Sequence, residues 1–219
     1  MAEDEPPGSP ARYGLLLITL VAAYLVSAVA HTRWGGAVHV AFVVAVAVLA
    51  VRHTRPRSAG AWLAAVLWLA SAVGAGFAAE SSNLTAQGIA GIWNASVLLV
   101  AVVIIVDRVL RLNQVTVQSI YGAVSAYLLI GLMFAGWFAA IDGLVSGPFF
   151  ADGQQANAET LQYFSFTTLT TLGYGDFTAG GSLGRAVAVL EALTGQIFLA
   201  TLVARLVSAY RVDGRRGGG

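Results

Sequence analysis

The chain carries Thr-Thr-Leu-Gly-Tyr-Gly-Asp at residues 170–176, directly after a short apolar and aromatic stretch at residues 158–169. That stretch is too short to cross a membrane as a helix, whereas the apolar runs at residues 118–141 and 182–210 are long enough. Irregular backbone at membrane depth is tolerated only when it is buried in protein or lines a water-filled path. The order of these segments therefore predicts a re-entrant helix between two spanning helices, with Asn157 as its candidate N-cap.

The composition narrows the class of protein before any single residue is considered. Of the 219 residues, 58% are hydrophobic and 11% are charged. A soluble domain carries about a quarter charged residues, so this chain cannot cover a water-facing surface. These values exclude a soluble enzyme, a disordered chain and a nucleic-acid-binding protein. Cysteine is absent, which excludes disulfides, thiolate metal sites and a cysteine nucleophile.

Six apolar runs predict six spanning helices, because only helices and closed barrels satisfy backbone polar groups in lipid, and the alternation of barrel strands is missing. The runs are residues 13–30, 34–51, 60–79, 87–106, 118–141 and 182–210. A cleaved signal peptide at the first run is disfavoured, because the residues before it are acidic rather than basic. The predicted fold class is an all-α integral membrane protein with six transmembrane helices and a re-entrant helix.

Arginine positions predict the orientation, because basic residues collect in cytoplasmic loops. With six helices and both termini in the cytoplasm, every arginine except Arg33 and Arg185 falls on the cytoplasmic side. Five or seven helices would scatter the arginines over both sides. The sequence therefore predicts a multi-pass protein of the cell membrane with cytoplasmic N and C termini.

The motif at residues 170–176 resembles the selectivity filter of the tetrameric potassium channels. The resemblance extends over the outer helix, pore helix, filter and inner helix of that family, with one departure at Leu172, where the family most often has valine. It implies a homotetramer, because each chain carries one motif and a single strand cannot surround an ion. It further implies passive conduction of K⁺, with membrane lipids as neighbours, and no cofactor, catalysed reaction or nucleic-acid partner.

The resemblance assigns the ion-binding role to five residues. Backbone carbonyls of Thr171, Leu172, Gly173 and Tyr174 would bind K⁺, and the Thr171 hydroxyl would lie at the inner end. Pointing successive carbonyls to one side requires unusual dihedral angles, which Gly173 and Gly175 permit because they lack a Cβ. Leucine at 172 keeps the carbonyl that its role requires.

Four neighbouring residues are expected to support this filter. Tyr174 is expected to point away from the ions and to pack against Tyr163 and Phe164. Asp176 is expected behind the outer end, with the Tyr163 hydroxyl as its partner, and Thr170 completes the support at the inner end.

The inner helix offers candidate cavity and gate residues. Gly195 lies mid-helix, where glycine costs about 1 kcal/mol relative to alanine, and it is either a gating hinge or a close packing contact. Gln196, Leu199, Val203 and Val207 form one helical stripe, which lines either the cavity or a contact between subunits.

Glu191 is the single acid inside the inner helix up to residue 210. A charged group in a membrane span is costly and faces a cavity or a partner. The predicted roles are a hydrogen bond with a pore-helix hydroxyl such as Thr167 or Thr168, or attraction of cations into the cavity. Desolvation could also keep the carboxyl protonated.

The domain organisation resembles a voltage-gated channel without its sensor. We predict a disordered cytoplasmic tail (1–12), a four-helix domain (13–106), a cytoplasmic linker (107–117), a pore domain (118–210) and a second disordered tail (211–219). A voltage sensor needs several arginines within its fourth helix, and residues 91–106 contain none. Weak or no voltage dependence is therefore predicted, and the gating stimulus stays open.

Two other functions stay open at this point. A weakly selective cation channel results if Leu172 loosens the filter. A non-conducting scaffold or regulatory subunit could retain the fold of the pore, although such a subunit need not keep the Gly-Tyr-Gly dihedral angles.

Overall fold

The computed structural model describes residues 14, 17–18, 20–22, 83–111 and 116–216. From residue 83 onwards these residues form four helices: α1 (Leu84–Arg111), α2 (Val117–Leu144), α3 (Ala158–Leu169) and α4 (Ser182–Arg216). Strand pairing in these ranges is limited to one isolated antiparallel bridge, between Phe150 and Ala179. The described part of the chain is therefore all-helical, as the sequence predicts.

Within the described residues, three helices are long and apolar enough to cross a membrane, with candidate spans at Leu84–Asp107, Ser119–Leu144 and Ser182–Arg205. They correspond to the last three of the six predicted runs. Helix α3 has 12 residues and is too short to span. The second and third predicted runs, and the first apart from helical positions between 14 and 22, lie outside the described residues.

Two helices continue past the ends of their apolar runs. Helix α1 continues to Arg111, so the first residues assigned to the linker are helical, while its candidate membrane span ends at Asp107. Helix α4 continues to Arg216, where the sequence predicts a disordered tail from residue 211. Arginine is nearly as good a helix former as leucine, so the loss of apolar residues need not end a helix.

Helix α1 packs along α2 through glycines, which let two backbones approach closely. A Cβ added to Gly91 would lie 2.7 Å from the backbone oxygen of Gly136. A Cβ on Gly143 would meet the backbone of Leu84 and Gly88. These contacts leave no room for a methyl group at the crossing of the two helices.

We predict that Gly143→Ala destabilises the described helical unit. The new methyl group meets backbone atoms that cannot rotate away, and overpacking of this kind costs about 1–3 kcal/mol. The expected result is a lower melting temperature of the purified protein in detergent. Gly181→Ala is the control, because a Cβ there has nothing within 4 Å. Equal melting temperatures for the two variants would show that α1 and α2 do not pack as described.

The loops around α3 are held by an aromatic cluster. Neighbouring rings have centroids 4.9–5.8 Å apart. Its members are Phe138, Phe149, Phe150, Phe164 and Phe177. Phe138 comes from α2, Phe164 from α3 and the others from the loops, so the cluster fixes α3 against α2.

Helix α4 is the least covered of the three long helices. In its apolar window 11% of the residues are buried, against 44% for α1 and 50% for α2. Large apolar side chains such as Leu190, Leu193 and Ile197 are more than half exposed. Among the described residues, most of α4 therefore lacks protein neighbours.

Candidate functional site

Helix α3 begins with a capping box, as the position of Asn157 predicts. The Asn157 Oδ1 accepts a hydrogen bond from the Thr160 amide at 2.9 Å, and the Thr160 hydroxyl accepts one from the Asn157 amide at 3.0 Å. These bonds satisfy two amides that lack partners in the first turn of a helix. The start of α3 is thereby fixed beside the outer loop.

The backbone leaves α3 and turns back on the end of the same helix. The amides of Leu172 and Gly173 both donate to the carbonyl of Thr167, at 2.8 and 3.1 Å. The Thr171 amide donates to the carbonyl of Thr168 at 2.9 Å. In a trans peptide the carbonyl points opposite to the amide that follows it, so the carbonyls of Thr171 and Leu172 point away from Thr167.

The filter segment, residues 171–175, alternates in the sign of φ. Thr171, Gly173 and Gly175 have φ of 57°, 52° and 82°, while Leu172 and Tyr174 between them are not in the positive-φ region. The prediction that Gly173 and Gly175 adopt dihedral angles unusual for other residues is confirmed. The positive φ of Thr171 was not predicted, because β-branched residues rarely adopt this conformation.

The four carbonyls that the resemblance assigns to K⁺ have no donor within the described part of the chain. None of the hydrogen bonds there ends on the carbonyl oxygens of Thr171, Leu172, Gly173 or Tyr174. Buried carbonyls are almost always paired, whereas these stand in a segment that is largely exposed in the single chain. The segment therefore offers a row of free oxygen ligands.

The outer end of the filter segment is held by side chains from the loop and from α3. The Tyr163 hydroxyl donates to Asp176 Oδ2 at 2.9 Å, which confirms the predicted partner. Gln154 Nε2 donates to the Asp176 carbonyl at 2.9 Å. Gln154 was not among the predicted site residues, because it belongs to no motif. These two bonds attach the residue that follows the filter to the helix that precedes it.

The predicted packing of Tyr174 against Tyr163 and Phe164 does not occur within one chain. Tyr174 is 69% exposed, and Phe164 is surrounded by the aromatic cluster. The Tyr163 ring packs against Phe177, with centroids 5.7 Å apart. The Tyr163 and Phe164 rings thus have aromatic partners among the described residues, and Tyr174 is not one of them.

The inner end of the filter segment is attached to both flanking helices. Gln196 Nε2, on α4, donates to the Thr171 hydroxyl at 3.1 Å, and that hydroxyl donates to the Thr170 carbonyl at 2.7 Å. The Tyr127 hydroxyl, on α2, donates to the Leu169 carbonyl at 3.2 Å. The sequence left Gln196 either along the cavity or at a contact between subunits, and the structure adds a direct bond to the filter segment.

Gly195 lies against the end of α3. A Cβ at this position would collide with the Leu169 carbonyl oxygen and would lie 2.9 Å from Leu169 Cδ1. Of the two interpretations from the sequence, this geometry supports the close packing contact. The other stripe residues, Leu199, Val203 and Val207, are exposed in the single chain.

Glu191 is fully buried, so its side chain does not line a cavity. Its partner is Ser165 on α3, with 2.5 Å between Ser165 Oγ and Glu191 Oε1. The sequence favoured Thr167 or Thr168; the pore-helix hydroxyl is confirmed and the residue is corrected. The Thr167 hydroxyl instead donates to the Phe164 carbonyl at 3.0 Å, within its own helix. Position 165 carries the hydroxyl on the buried face of α3.

We predict that Tyr163→Phe weakens the outer end of the filter segment without unfolding the chain. Loss of one hydroxyl that donates to a carboxylate costs about 1.5–3 kcal/mol locally. The expected result is faster hydrogen exchange of the amides around Asp176. Tyr121→Phe on α2 is the matched control and should leave these amides unchanged. Equal exchange in the two variants would exclude a role for the bond.

Comparison with known proteins identifies the class of domain. A protein-family model described as an ion channel matches residues 144–212. The match begins at the end of α2 and covers α3, the filter segment and most of α4. It supports an ion channel, and the family concerned is one of channels and not of enzymes. Searches of curated proteins and of solved structures gave no match.

Together, the ion-channel domain and the three apolar helices indicate a membrane protein that transports ions. The family match covers the segment on which the geometry above is built. It does not extend over α1 or most of α2.

Proposed function

We propose that this chain is a potassium-selective channel that conducts K⁺ passively through a filter shared by four identical chains. The proposal rests on the backbone conformation of the filter segment. Its φ angles alternate in sign, and its four consecutive carbonyls have no donor in the described part of the chain. Rings of backbone carbonyls are the ligands that replace the water of a K⁺ ion in such a filter.

Two observations support the proposed assembly: the geometry of coordination and the surface that one chain leaves exposed. One segment supplies oxygens from one side, so several copies are needed to surround an ion. Leu172 and Tyr174 are 54% and 69% exposed, and α4 is mostly uncovered. A fourfold arrangement places α4 and Tyr174 against neighbouring chains and brings four sets of carbonyls to one axis.

The membrane arrangement completes the proposal. α2 and α4 span the membrane on either side of α3, with membrane lipids around the assembly and both termini in the cytoplasm. Helix α1 has its arginines in its last turn, at Arg108 and Arg111. They lie beyond the apolar span, so α1 supplies no gating charge within the membrane, and weak voltage dependence is expected.

Ion flux into liposomes that contain the purified protein tests this proposal. The expected result is Ba²⁺-sensitive uptake of K⁺ that is much faster than uptake of Na⁺, from a protein whose mass in detergent corresponds to four chains. Similar uptake of the two ions would replace the proposal with a weakly selective cation channel. If liposomes that contain a verified tetramer take up neither K⁺ nor Na⁺, at several pH values, voltages and lipid compositions, a non-conducting scaffold would be favoured.

A further inference from the structure

In the buried contact between α3 and α4, the Ser165 hydroxyl lies close to two oxygen atoms, but its single proton can be donated to only one of them. Ser165 Oγ lies 2.6 Å from the Gly131 carbonyl of α2 and 2.5 Å from Glu191 Oε1 of α4. Both separations are those of hydrogen-bonded oxygens. A serine hydroxyl carries one proton, and a carbonyl carries none.

The proton count assigns the donors. The Gly131 carbonyl can only accept, so the proton between it and Ser165 belongs to the serine hydroxyl. The proton on the line between Ser165 and Glu191 must then come from Glu191. The carboxyl group therefore donates to Ser165, which donates in turn to Gly131.

The surroundings of Glu191 agree with a neutral acid. Its side chain is fully buried, and Oε2 has no hydrogen-bond partner in the described part of the chain. An ionised carboxylate needs partners for both oxygens or a cation beside it, because burying an uncompensated charge is very costly. A neutral acid leaves one carbonyl-like oxygen unpaired, which is a much smaller penalty.

We propose that Glu191 is a positioning residue that works as a neutral hydrogen-bond donor and fastens the pore helix between the two spanning helices. The chain Glu191–Ser165–Gly131 joins α4, α3 and α2 through two fully buried side chains and the backbone carbonyl of Gly131. Gly195, one turn further along α4, lies against the end of α3 where the filter segment begins. The bond thus sets the height and rotation of α3 relative to the helix that approaches the filter.

Infrared spectroscopy of the full-length protein in liposomes tests the protonation directly. The difference spectrum between the unmodified protein and Glu191→Gln should show loss of one C=O band of a protonated carboxyl group. In Ser165→Ala the same band should persist at higher frequency, because it loses its acceptor. Glu159→Gln, in the exposed first turn of α3, is the control and should leave the band unchanged. Loss of carboxylate bands instead, in Glu191→Gln, would overturn the proposal.

Ion flux tests the positioning role, and this readout rests on the proposed channel function. The amide of Glu191→Gln retains a donor to Ser165, so flux within about twofold of the unmodified protein is expected. Glu191→Ala leaves Ser165 without its donor and opens a cavity, so a loss of about tenfold or more is expected. A Gln variant as impaired as the Ala variant would contradict a donor role. An unmodified protein without flux would reject the channel function, while the infrared result would still decide the state of Glu191.

Discussion

Gly173→Ala is expected to abolish K⁺ flux while leaving the fold intact. Gly173 has φ of 52°, and nothing lies within 4 Å of the position that a Cβ would take. The effect is therefore conformational and not a collision. An L-residue in the left-handed region costs about 1–2 kcal/mol, and four chains in one filter bring this to about 4–8 kcal/mol. Each 1.4 kcal/mol is roughly tenfold in an equilibrium, so the conducting conformation becomes rare.

The measurement is K⁺ uptake by liposomes, together with the melting temperature and mass of the assembly. Gly181→Ala is the matched control, since this glycine lacks positive φ and also has open space around its Cβ position. We expect its flux to equal that of the unmodified protein. Undiminished flux in Gly173→Ala would mean that the alternation of φ is not required for transport. This result would contradict the proposed function.

Gly195→Ala is expected to reduce flux strongly and to lower the stability of the helical unit. The added methyl group meets the Leu169 carbonyl, which is backbone and already accepts the Tyr127 hydroxyl. Either α4 moves away or the end of α3 shifts, at a cost of about 1–3 kcal/mol. A shift of α3 displaces the inner end of the filter segment, because Thr171 follows Leu169 after one residue.

A gating hinge predicts a different result for the same variant. Alanine would stiffen α4 and favour the helix by about 1 kcal/mol, so stability would rise while gating changed. The double variant Gly195→Ala, Ala200→Gly separates the two explanations, since Ala200 is exposed and restores a flexible position nearby. Recovery of flux in the double variant would favour the hinge, and continued loss would favour the packing contact.

The sequence predicted the parts of the site whose residue types carry the chemistry themselves. The Gly-Tyr-Gly dihedral angles, the N-cap Asn157 and the bond between Tyr163 and Asp176 follow from what those side chains can do. Positive φ at Thr171 could not be predicted, because the surrounding hydrogen bonds impose it against the preference of threonine. The bond from Gln154 joins residues distant in sequence, and no local pattern indicates it.

The contacts between α3 and α4 also include features that the sequence predicts and features that it does not. The sequence indicated that Glu191 needs a polar partner, but three hydroxyl residues lie close together on α3, and only the rotation of the helix selects Ser165. The collision at Gly195 depends on the distance between two backbones, which a sequence does not state. Helix α4 continues to Arg216 through residues that the sequence predicts as a disordered tail, because the loss of apolar residues does not by itself end a helix.

The two ends of the segment that holds the filter meet each other. The Gly180 amide donates to the Phe149 carbonyl at 2.8 Å, and the Ala151 amide donates to the Thr178 carbonyl at 2.9 Å. Residues 149–180 thus form a segment that is closed at its base by its own backbone. The connections from α2 and to α4 lie outside these two bonds, so a change in the length of either connection need not open the segment.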